Sequence, residues 1–134
     1  MQKSAANAYN TVSKASMSPR QLEASILNRA AAMLKAVQDR WDATDRNQKL
    51  DEALKYNQKL WSVFQADLAS DDNPLPKKLR EDILSLSLFV DQRTFDLMAN
   101  PELEKVSVLI NINQNIAAGL NTTPANAQPE LESA

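Results

Sequence analysis

Residues 57–90 read NQKLWSVFQADLASDDNPLPKKLREDILSLSLFV, and the folding of this stretch decides the fold of the chain. Leu54, Asn57, Trp61, Phe64 and Leu68 recur three and four apart, the spacing of one stripe along a helix. Pro74 and Pro76 follow within Asp71-Asp72-Asn73-Pro74-Leu75-Pro76. Each disfavours helical geometry in the residue before it, so the first helix ends here. Pro76 suits the first turn of a new helix, where its missing N–H costs nothing. In that second helix Leu79, Ile83, Leu86 and Val90 share one face, and Leu84, Leu88 and Phe89 add apolar surface around most of the rest. A helix apolar nearly all round requires cover, from its own chain or from a partner. We expect it to be the most buried helix of the chain. The run 83–90 also alternates as a strand would. Leu79 and Leu97 extend the helical register on both sides, however, and no pairing mate is visible, so helix is the reading.

Outward from this pair the pattern stays helical. Residues 1–17 hold a short helical segment whose substantial apolar groups are Tyr9 and Val12. Ser18-Pro19-Arg20-Gln21 is a helix start: an N-cap hydroxyl, proline at the first position, and a glutamine completing a capping box. Leu22, Ile26, Ala30, Met33, Val37 and Trp41 then form one stripe, with Leu27 and Leu34 beside it. The polar run 42–47 ends that helix. Asn100-Pro101 repeats the start signal. It precedes a stripe of Leu103, Val106, Ile110, Asn113, Ala117 and Leu120, flanked by Leu109, Ile112 and Ile116. Gly119 stands where a helix C-terminus could use its freedom. The tail beyond Leu120 is polar and carries Pro124 and Pro129, with nothing to bury.

The predicted fold is all-α. It is a compact bundle of four principal helices near 19–41, 47–70, 76–98 and 102–119, with a short N-terminal helix and no sheet. Residues 1–120 form one domain, and 121–134 are a disordered tail. A chain of 134 residues with a single glycine has little use for hairpin turns or phosphate-cradling loops.

Cysteine and histidine are both absent, which removes thiol nucleophiles, disulfides, common zinc sites and histidine-based proton transfer. No nucleophile–base pair or acidic cluster stands out, so neither an enzyme nor a cofactor is expected. No apolar run is long enough to cross a membrane, and the N-terminus lacks a signal-peptide pattern. The expected location is cytoplasmic. A net charge of -2 argues against nucleic-acid binding through a broad basic surface. Lys77, Lys78 and Arg80 are either a solvated first turn or a contact for RNA or an acidic partner.

Several polar and aromatic positions admit more than one role. Asn57 and Asn113 sit where apolar stripes call for apolar residues. They lie at the core's edge, fix helix register as buried amides, or receive a partner's backbone. Arg93 and Thr94 raise the same question. Trp61 and Phe64 are core residues, or binding residues if the groove facing them is vacant.

The segments NQKLWSVFQADLA, NPLP, LREDILSLSLFV and LININQNIAAGL, with Ala8-Tyr9 and Ser18-Pro19-Arg20 followed by Glu23, closely resemble the FlaF flagellar biosynthesis regulators of alphaproteobacteria. The resemblance runs from about Tyr9 to Leu120 in the same order and spacing. It implies a cytoplasmic factor needed for flagellin production and filament assembly, acting with the companion regulator FlbT and behaving like a flagellin secretion chaperone. Asn57, Trp61, Phe64, Leu75, Pro76, Arg80, Leu86, Asn113 and Gly119 match the family's motifs. The candidate partner-binding residues are Trp61, Phe64, Leu75, Arg80, Leu84, Leu86, Phe89 and Asn113. Flagellin is the expected partner through helix-in-groove binding. The alternative is a regulatory adaptor that binds FlbT and modulates translation of flagellin messenger.

Overall fold

The computed structural model describes residues 18–122. Among these the chain is entirely helical: α1 (Pro19–Asp39), α2 (Arg46–Ala69), α3 (Lys77–Ala99) and α4 (Leu103–Asn121). Each expected helix is present, with ends within two residues of the sequence reading. The short N-terminal helix and the tail from residue 123 onward lie outside the described residues.

The helices run up, down, up, down, with α1 against α4 and α2, and α3 against α2 and α4. Short connections enforce the antiparallel order. Gln38, at the end of α1, donates to the Leu103 carbonyl at 3.2 Å and to the Ser107 hydroxyl at 2.6 Å, which sets the end of α1 beside the start of α4.

Local sequence explains the ends. The Ser18 hydroxyl accepts from Gln21 N–H at 3.1 Å while Gln21 Oε1 accepts from Ser18 N–H at 3.0 Å, the expected capping box. Between α2 and α3, Asn73 Oδ1 accepts from Leu75 N–H at 2.9 Å, and Arg80 donates to the Ser70 carbonyl at 2.9 Å. These bonds fold the proline-marked turn so that Leu75 enters the core. Pro76 is the N-cap of α3 rather than its first helical residue. Asn100 closes α3 by donating its N–H to Asp96, and Glu102 is the N-cap of α4. The Asn100-Pro101 signal therefore marks a boundary, but its asparagine serves the helix before it. Gly119 takes no positive φ, and α4 runs through it to Asn121.

The core corrects two register readings. On α1 the covered apolar residues are Ala24, Leu27, Ala30, Ala31, Leu34 and Val37, so the expected stripe keeps Ala30 and Val37, whereas its Leu22, Ile26 and Met33 are half-buried. Two neighbours share α1, and Leu27 and Leu34 line the true stripe with the alanines, while Leu22, Ile26 and Met33 lie to one side of it. On α3 the buried stripe is Ile83, Ser87, Val90, Thr94 and Leu97. Leu79 and Phe89 are exposed and Leu86 is half-buried. The expectation that α3 is the most buried helix is overturned, because Leu79, Leu88, Phe89, Phe95 and Met98 are exposed while Leu84 and Leu86 pack only partly against the core.

Candidate functional site

The centre of the bundle holds a polar chain. Trp61 Nε1–H donates to Asn113 Oδ1 at 3.0 Å, and Asn113 Nδ2 donates to Asn57 Oδ1 at 2.7 Å, all three residues being fully buried. Phe64 meets the Trp61 ring edge-on with centroids 5.6 Å apart. An unmade bond here would cost the full desolvation of a polar group. The chain therefore fixes the register of α2 against α4 across the bundle, which is the register role among those left open above. Trp61, Leu75 and Asn113 are buried in the core, and so is Phe64, which also lines a groove between α1 and α2. Arg80 is engaged in holding the turn.

Leu84, Leu86 and Phe89 remain, and the structure divides them. Leu84, Leu88 and Phe95 are spaced four and seven apart, on the flank of α3 that leans toward α2. Leu79, Leu86 and Phe89 lie on the other flank, where the Arg93 guanidinium sits 5.0 Å from the Phe89 ring centre. The eight candidates thus do not form one site.

On the first flank lies an open groove of about 580 Å³ lined by Ser62, Gln65, Ala66 and Ala69 of α2 and by Leu84, Ser85 and Leu88 of α3. Leu88 is 67% exposed and Phe95 59%. Gln65 donates to Asp91 at 3.3 Å, crossing the groove between the two helices. Apart from Gln65 the α2 wall is made of small side chains, Ser62, Ala66 and Ala69, so a helix laid here could bring large apolar residues close to the backbone.

The inside of α3 makes this exposure informative. Ser87 and Thr94 occupy its buried stripe and return their hydroxyls to the Leu84 and Val90 carbonyls, the latter at 2.7 Å. A helix that buries serine and threonine while exposing leucine and phenylalanine reverses the ordinary partition. Leu88, which lines the groove, and Phe95, exposed on the same flank of α3, are residues that the apolar count alone did not single out. The signal was present: Ser87 and Thr94 fall in register with Ile83, Val90 and Leu97, which turns the larger residues outward.

A second groove, of about 370 Å³, lies between the start of α1 and the end of α2. Its walls include Leu22, Ile26, Leu60 and Val63, and two carboxylates, Glu23 and Asp67, stand in it. Burial, then repulsion from and hydrogen bonding with Asp67, push Glu23 from 4.5 up to about 7, with Arg20 acting in the opposite sense. Among the described residues no group of three or more acidic, cysteine or histidine side chains is placed to hold a metal ion, and no helix is long and apolar enough to cross a membrane.

The family model described as "Flagellar protein FlaF" matches residues 5–120. No curated protein and no solved structure matches the chain.

Proposed function

The chain belongs to the FlaF family of flagellar proteins, with a role in flagellar assembly or its regulation, and from that premise we propose that it is a cytoplasmic, non-enzymatic chaperone for flagellin. In this reading residues 1–120 act as one domain. The α2/α3 groove takes an amphipathic helical segment of unassembled flagellin, and holding that segment keeps it from polymerising before export. Positive regulation of flagellin synthesis follows if bound flagellin is the protected, export-competent pool.

The observation that carries the proposal is the reversed partition on α3. Leu84, Leu88 and Phe95 line one side of a helix whose inward stripe holds Ser87 and Thr94. An apolar strip facing small residues suits helix-in-groove recognition with anchors at three- and four-residue spacing.

Titration calorimetry with purified flagellin, at several temperatures and two salt concentrations, tests this. Apolar docking gives a negative heat-capacity change and little salt dependence. Leu88→Asp and Phe95→Ser should abolish binding while leaving the circular-dichroism melt unchanged. An adaptor role through FlbT predicts instead that pull-down captures FlbT and not flagellin. Absence of flagellin binding, together with steeply salt-dependent binding to flagellin messenger, would sink the chaperone reading.

A further inference from the structure

The face formed by α2 and α3 changes shape along its length. At one end the small residues Ser62, Ala66 and Ala69 stand beside Leu84 and Leu88 and leave the open groove. Phe95 lies past the end of that groove, about 10 Å beyond Leu88 at 1.5 Å per helical residue. It is 59% exposed and has no hole of its own to fill. The face thus carries a hole at one end and a knob at the other, with Leu88 between them.

Such a face is complementary to itself. A two-fold axis crossing α3 near Leu88 carries the Phe95 of each copy over the hole of the other. Charge follows the same symmetry. Glu81 precedes Leu88 by two helical turns and Lys59 precedes Ala66 by two, and both are exposed. Because α2 and α3 are antiparallel, these two residues stand at opposite ends of the face within one copy. The two-fold axis sets α3 parallel to the other copy's α2, which brings Glu81 to the end where that copy holds Lys59. Both groups are free to meet. The Lys59 side chain makes no hydrogen bond or ion pair among the described residues, and Glu81 comes no nearer than 3.9 Å to Lys77.

We infer that two copies of this chain pair through the α2/α3 face, each Phe95 seated against Ala66 and Ala69 of the other copy, with Leu88 near the axis and Glu81 opposite Lys59. The pair occupies the same groove that is assigned to flagellin. A flagellin helix then displaces the second copy, and pairing covers the groove while flagellin is scarce. That consequence rests on the chaperone reading; the pairing itself does not.

Sedimentation equilibrium of the full chain alone, from low to high micromolar concentration, should show a reversible monomer–dimer equilibrium. Leu88→Asp or Phe95→Ser should leave a monomer whose circular-dichroism melt is unchanged. Val63→Ser, at an exposed position on the α1 side of α2, should leave the dimer intact. Lys59→Glu and Glu81→Lys should each raise the dissociation constant about tenfold or more, since like charges then meet twice across the axis. Mixed in equal amounts, these two variants should pair again, because both contacts of the mixed dimer join opposite charges. A monomer at every concentration would overturn the inference, as would a dimer that survives Leu88→Asp. Failure of the mixed variants to pair would refute the two-fold arrangement. A dimer that forms and is left intact by flagellin would refute the chaperone reading at this groove while the pairing stands.

Discussion

Helices α1 and α3 are similar in length, 21 and 23 residues, yet they use apolar side chains in opposite ways. α1 packs on two neighbours, most extensively on α4, and its fully buried positions include Ala24, Ala30 and Ala31. α3 presents Ser87 and Thr94 inward and Leu88, Phe89 and Phe95 outward. One helix is spent on closing the bundle, and the other keeps apolar surface in contact with water. Residue type alone does not report the difference. What separates the two is which positions fall on the inward stripe, and small inward residues mark both cases for different reasons. On α1 they permit close approach. On α3 they displace larger groups to the outside.

The sharpest way to break this comparison is to make the same chemical change on each helix. Leu34→Ala on α1 removes a fully buried side chain and should cost about 2–5 kcal/mol in denaturant unfolding. If Leu88→Ala on α3 costs as much, the outer face of α3 is not a free surface and the comparison fails. Next in size is the polar chain that ties the two halves. Asn113→Leu deprives Trp61 Nε1 and Asn57 Oδ1 of their partner and should cost about 1–3 kcal/mol. Adding Asn57→Leu should cost less than the sum of the single changes, a coupling read from a double-mutant cycle.

A pH series sharpens the contrast at the open end of α1. Glu23 is held at about 7 against 4.5 in the unfolded chain, so folding favours its protonated form. The resulting stability is fully present below 4.5 and is lost as pH rises through about 7. Urea midpoints should show this fall, and Glu23→Gln should flatten it. On α4, Gly119 has a helical backbone, and an added Cβ would meet nothing within 4 Å. Gly119→Ala should therefore raise stability by about 0.5–1 kcal/mol. The smallest effect is expected for Leu88→Ala, whose unfolding free energy should stay within about 0.5 kcal/mol of the parent.

Much of this was legible before folding, because helix termini and periodicity are local. The capping box at Ser18, the break at Pro74 and Pro76, and the stripe from Leu54 to Leu68 each act through neighbours a few residues away. The stripe of α4 from Val106 to Leu120 was equally plain. Gly119 misled for the same local reason: a glycine near a helix end permits a left-handed stop without requiring one. On α1 and α3 the apolar residues exceed what one stripe can hold, so periodicity admits several faces. The number and distance of neighbouring helices then choose among them.

The sequence by itself determined the four helices, their order and the turn that pairs α2 with α3, since backbone preferences and proline chemistry operate at short range. The tertiary structure decided which of two roles each ambiguous side chain took. Asn57, Trp61 and Asn113 became an internal hydrogen-bonded chain because α2 and α4 meet at their positions. Leu88 and Phe95 became surface because α3 packs on α2 and α4 through Ile83, Ser87, Val90, Thr94 and Leu97, leaving its far side uncovered. Burial belongs to the assembly of helices around a residue, and no spacing within one helix specifies it.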